Sequence, residues 1–217
     1  MHVKSEPWRL MTLIEEAKDG RMAAANPVPA WTAAQVEALW DNILNDWPLG
    51  PFVLVDVSRS RERPWRGRLG PHQVRSTAPR RLLVEEGAGK LAALAWSLAE
   101  GPSVVLAQCG AEESVLWGGP QILVLDLDQR RARFVGQDYA PNRHLPVRLL
   151  PQANQCVHAM NAMELRSADR EWVNQAARRL LEARCPVYVF PDGSTKLAER
   201  MLSNFRRIGG FESRTGL

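Results

Sequence analysis

The chain has 217 residues, 45% of them hydrophobic, with a formal net charge of +4 and a pI near 9.3. That length fits one compact domain with a real core, which excludes a wholly disordered chain, and no window reaches the ~20 apolar residues of a membrane span. Cys109, Cys156 and Cys185 are odd in number, far apart and without a CxxC pair, so neither a disulfide framework nor a zinc site is indicated and a reducing cytoplasm fits best.

Met1 to Gly20 alternates charged and apolar residues and lacks the continuous apolar run of a signal peptide. Trp8, Leu10, Met11, Leu13, Ile14 and Ala17 share one face of a short amphipathic helix that stops at Gly20. Asn26-Pro27-Val28-Pro29 breaks the chain. Thr32 then caps a second helix through Val36, Leu39, Trp40, Ile43 and Leu44, which Pro48, Gly50 and Pro51 end. Phe52 to Val57 is an apolar run too short for a helix and reads as a strand.

A loop or hairpin at about residues 58–80 follows, dominated by arginine, proline and glycine. Arg59, Arg61, Arg63, Arg66, Arg68, Arg75, Arg80 and Arg81 crowd into it, with Trp65 interleaved and Glu62 the one acidic residue. Guanidinium groups beside an aromatic ring suit phosphate contact plus base stacking, so the stretch is a candidate nucleic-acid surface; a solvated loop is the plainer alternative. His72 lies within it, and none of the four histidines has the spacing of a metal site.

Leu82 to Val84 reads as a strand, Gly87 and Gly89 as a turn, and Leu91 to Ala99 as an apolar helix. A strand that stops at a glycine turn and opens a helix aims backbone N–H groups and the positive helix end at one spot, which suits a phosphate. Gly87, Ala88, Gly89 and Lys90 are therefore candidate nucleotide contacts, with Lys90 meeting phosphate and Glu86 holding magnesium or orienting a water. A tight turn with solvated charges is the competing reading. Val84 and Leu91 stand where a P-loop needs glycine and Ser or Thr, so this is not a Walker A loop.

Val104 to Ala107 forms a further strand, and Ile122 to Asp126 with Ala132 to Val135 a hairpin whose turn takes Asp126 and Asp128 in preference to a metal. Leu145 to Leu150 adds a short edge. Ala168 to Ala183 is a helix with Trp172, Val173, Ala176, Leu180 and Leu181 inward; Val187 to Phe190 is a strand and Thr195 to Ile208 a closing helix. Helices and strands mix without regular alternation, so the expected class is α+β in a single domain over residues 1–217.

Fragments along nearly the whole chain resemble the N-terminal domain of GmrSD-type modification-dependent restriction enzymes, a ParB/sulfiredoxin-like family marked by an Asp-Gly-Gln-Gln-Arg motif. Trp31 to Trp40, Ile43, Pro48-Leu49-Gly50 and Val53-Leu54 stand as its tryptophan-started helix, Pro-hydrophobic-Gly turn and strand. Glu86-Gly87-Ala88-Gly89-Lys90 stands at the motif, keeping its charges in kind without either glutamine. Leu123 to Leu127 with Arg133-Phe134-Val135 is similar to the family's hairpin, and Pro186 to Val189, Ala198 to Met201 and Arg206 to Gly210 to its closing strand and helix. The family's Pro-x-x-Gln-Arg element is reduced to Asn26-Pro27-Val28-Pro29-Ala30-Trp31.

The resemblance implies a ParB/sulfiredoxin-like fold, a small mixed sheet packed by helices. It also implies a degenerate, stand-alone domain that binds nucleic acid or nucleotide in bacterial antiviral defence, restriction or DNA processing, non-catalytic alone and served by a separate nuclease or other defence subunit. Two readings stay open beside it: a divergent NTPase using magnesium and an NTP, and a structural subunit of a larger nucleoprotein complex. No membrane partner is expected.

Overall fold

The computed structural model describes residues 3–25, 28, 31–59, 68–74, 80–99, 122–136 and 139–191. The chain is α+β and divides into two compact units, Met1–Pro29 with Leu49–Ala92 and Arg184–Leu217, and Ala30–Pro48 with Ala93–Ala183. The expected strand at 104–107 and helix at 195–208 lie outside the described residues.

In the first unit, β1 (Lys4–Arg9), β10 (Arg184–Phe190), β3 (Phe52–Asp56), β6 (Leu82–Glu86) and β2 (Met22–Ala24) form one mixed sheet in that order. β10 runs parallel to β3 and β2 parallel to β6, while the β1–β10 and β3–β6 pairs are antiparallel. Ala23, Val53, Val55, Val57, Leu83 and Phe190 pack as one buried cluster, and the alternate positions Phe52, Leu54, Leu82 and Val84 are buried as well. Both faces of β3 and of the first three residues of β6 are thus dry, which is why those segments read as continuous apolar runs. The helix α1 (Leu10–Lys18) packs Leu10, Leu13, Ile14 and Ala17 inward beside β1 and β2, and Gly20 closes it at φ 72°.

Trp8 lies on β1 and not on the helix, because pairing with Cys185 carries the extended chain as far as Arg9. Inside the basic stretch β4 (Arg68–Leu69) and β5 (His72–Gln73) make a small hairpin around Gly70 at φ 60°.

In the second unit β7 (Ile122–Asp126) is the centre of a three-stranded antiparallel sheet, flanked by β8 (Arg131–Val135) and β9 (His144–Pro146). The helix α2 (Ala33–Leu44) opens on a capping box between Thr32 and Gln35 and buries Val36, Leu39, Trp40, Ile43 and Leu44. It packs on β8, where Glu37 Oε1 accepts the Phe134 N–H at 2.7 Å. The helix α3 (Ala88–Ser97) follows β6, and the division between the units falls inside it.

Trp40 Nε1 donates to Ser97 Oγ at 3.1 Å, so this indole is a satisfied core residue. A helix that the sequence pattern does not announce, α4 (Ala153–Ala162), precedes α5 (Ser167–Glu182), which buries Asp169, Val173, Ala176 and Leu180. Leu181, expected inward, is exposed, and Trp172 is half-buried under the Arg130 guanidinium.

Candidate functional site

The junction expected from sequence forms as a strand, a turn and a helix, with Gly87 at φ +90° between β6 and α3. A Cβ placed on Gly87 would stand 2.5 Å from Phe52 Cδ1 and 2.8 Å from Cε1, so glycine is required both by the dihedral and by the ring packed against it. Lys90 turns back onto the same ring: its Nζ lies 4.9 Å from the Phe52 centroid and donates to the carbonyls of Leu49 at 3.0 Å and Pro51 at 3.3 Å. Burial lowers the Lys90 pKa, against the opposing pull of the Glu86 carboxylate and Cys185. Lys90 therefore clasps the Leu49-Gly50-Pro51 turn to the start of α3, and two of its three donors are committed within the protein.

The basic stretch has a defined base. Val57 N–H donates to Arg81 O at 2.9 Å, Arg81 N–H to Ser58 Oγ at 3.0 Å, and Arg81 Nη2 to Ser58 O at 2.8 Å. Because β3 and β6 are antiparallel neighbours, these bonds close residues 59–80 into an excursion from one end of a strand pair. Arg59 and Arg68 are exposed, and the Arg80 guanidinium lies 5.2 Å from the centroid of the partly exposed Trp8 ring. Arg61, Arg63, Trp65, Arg66 and Arg75 lie outside the described residues. Burial and nearby Lys18 lower the His72 pKa.

Arg81 and Gly87 sit at opposite ends of β6, about 20 Å apart at an extended rise of ~3.3 Å per residue. The anchor of the basic excursion and the glycine turn are thus two separate places, although they adjoin in sequence.

A polar cluster in the second unit is not evident from sequence. Asp126 is buried; its Oδ1 accepts the backbone N–H groups of Asp128 and Gln129, each at 2.9 Å, and its Oδ2 takes Arg133 Nε at 2.6 Å. Burial pushes the Asp126 pKa up, but those two amides and the Arg133 guanidinium outweigh it and hold the carboxyl below its ordinary value. The hairpin-turn role expected of Asp126 is therefore the observed one. His144 Nδ1 accepts the Ala140 N–H at 2.9 Å, while its Nε2 lies 3.3 Å from Arg133 Nη2 and 3.8 Å from Asp126 Oδ2.

Beyond it, Asp169 is almost completely enclosed and draws Arg130, Arg143 and Arg166 to its carboxylate; Asp169, Arg143 and Arg166 line a cleft of 420 Å³. One sequence signal points there: Asp169 continues the inward spacing of Val173, Ala176 and Leu180, and a carboxylate on an apolar stripe needs a partner. Arg143 and Arg166, which come from loops, give no such signal.

Among the described residues no group of three or more His, Cys, Asp and Glu side chains is arranged to hold a metal ion, and no helix is long and apolar enough to cross a membrane. No family model matches the chain, and no curated protein matches it.

Proposed function

We propose that this protein binds nucleic acid through the basic excursion between β3 and β6, as a non-catalytic module. The observation that carries the reading is the clasp of Ser58 and Arg81, which joins the two ends of an eight-arginine stretch at one end of the β3–β6 strand pair. Eight arginines against Glu62 give that stretch +7, more than the +4 of the chain, so all other residues together sum to −3. Such a localised field attracts a polyanion and orients it. The half-exposed Trp8, with Arg80 on its face, adds a ring on which a base could stack. In line with the resemblance to GmrSD-type domains, the setting proposed is bacterial defence or DNA processing, with cleavage supplied by a separate nuclease subunit.

Magnesium-dependent nucleotide hydrolysis at Glu86 and Lys90 is the second reading. The strand–turn–helix geometry at Gly87 favours it, and the commitment of Lys90 to two carbonyls weighs against it. It predicts NTP turnover that Glu86→Ala abolishes.

Fluorescence anisotropy with duplex DNA, single-stranded DNA and RNA at graded salt tests the leading reading. The wild-type protein should bind at least one of them with affinity falling steeply as salt rises. Changing Arg61, Arg63, Arg66 and Arg68 together to alanine should weaken binding at every salt and flatten the salt slope by roughly one for each phosphate no longer neutralised. Equal binding by that variant would remove the excursion from the proposal.

A further inference from the structure

We propose that the cleft between the Pro141–Arg143 turn and the corner joining α4 to α5 binds a small zwitterion, a molecule of amino-acid size with a carboxylate, an ammonium group and an apolar side chain. The volume of 420 Å³ lies within the range of small-molecule sites.

Charge decides the ligand class. Arg143 and Arg166 bring two positive charges to the wall, and Asp169 and Glu164 bring two negative ones. A wall with no net charge but with both signs displayed favours a ligand that carries both, over a simple anion or a simple cation. Met163 and Leu165 supply an apolar side.

The second observation is an orphaned oxygen. Asp169 is 97% enclosed; Arg130 Nη2 satisfies its Oδ1 at 2.7 Å, while its Oδ2 has no hydrogen-bond partner. Two guanidinium groups hover near Oδ2 outside hydrogen-bond reach, Arg166 Nε at 3.6 Å and Arg143 Nη1 at 3.8 Å. An enclosed acceptor without a donor is costly, so a donor entering the cleft gains more there than at a satisfied site. Arg143 is fixed by its pair of bonds to Asp128, and the Arg166 side chain is 79% exposed and loosely held. A ligand carboxylate draws Arg166 outward and bridges it to Arg143. Opening that 3.6 Å approach then presents Oδ2 to the ligand ammonium, with Glu164 as its second acceptor.

Isothermal titration of the full chain with L-leucine, with 4-methylpentanoate (the carboxylate alone) and with 3-methylbutylamine (the ammonium alone) tests this. Saturable leucine binding is expected, with each analogue about tenfold weaker or worse, since each lacks one set of charge-assisted hydrogen bonds. Arg166→Ala and Glu164→Gln, both at exposed side chains, should each weaken leucine by a similar factor. Asp169→Asn should abolish the preference for leucine over 4-methylpentanoate; if that variant fails to fold, the two surface variants decide. Absence of saturable leucine binding overturns the proposal. So does equal binding of either analogue, or indifference to both surface variants.

Discussion

Gly87 and Phe52 show how a packing requirement can stand beside a ligand reading at a single residue. The sequence offers a glycine at a strand–helix junction, for which an anion cradle and a tight turn are equally good explanations; the ring 2.5 Å from its absent Cβ supplies a third, a packing requirement. Gly87→Ala should cost about 3 kcal/mol, from a positive φ and an overpacked core ring, read as a drop in the urea midpoint at unchanged slope. Cys185 is fully buried, and burial pushes its thiol from 9.0 to about 11. Between those values the folded state holds a proton that the unfolded state has released, so stability falls as pH rises through that window, by up to about 2–3 kcal/mol. Lys90 works the other way, since its lowered pKa makes folding release a proton and stability rise as pH climbs towards 10.5. Denaturant titrations from pH 8.5 to 11 on wild type and Cys185→Ala should show less alkaline loss in the variant; equal loss would mean that the thiol is not the group responsible.

At the scale of elements, local chemistry predicts well where it closes on itself. Thr32 reads as a cap and makes a capping box, its Oγ1 accepting the Gln35 N–H at 3.3 Å and Gln35 Oε1 accepting the Thr32 N–H at 2.9 Å. Thr32→Ala should lower stability by about 1 kcal/mol in thermal unfolding, with α2 fraying from its first turn. The β7–β8 hairpin is equally legible, and Asp126 is what shapes its turn. Asp126→Asn keeps the acceptor for the two amides but leaves Arg133 without its charge partner, so a loss of about 2–4 kcal/mol is expected from chemical denaturation at neutral pH. Because the Asp126 pKa is lowered on folding, that advantage should vanish in wild type as pH falls below the ordinary carboxylate value, bringing the two proteins together. β1 and α4 are not legible in the same way. The exposed strand Lys4–Arg9 contains Pro7 and lacks alternation, and α4 buries only Cys156 and Met160, too few positions to impose a period.

For the whole molecule, charge is segregated: +7 in one stretch and −3 in the remainder. Association with a polyanion should therefore be steered, and stopped-flow mixing with a single-stranded oligonucleotide should give an association rate that falls steeply with salt. The four-alanine variant should slow association by roughly tenfold and change dissociation less. Sequence by itself determined the mixed α+β class, most of the strands and helices, and the location of that charge. Each depends on neighbours within a few residues, through periodicity, caps, glycines and counted arginines. Only the tertiary structure decided that Lys90 serves carbonyls 39 and 41 positions away, that β1 pairs with a strand some 180 positions later, and that Asp169 collects arginines from separate loops around a cleft. Those partners are chosen by chain topology, and long-range pairing leaves no periodic trace in the segments it joins.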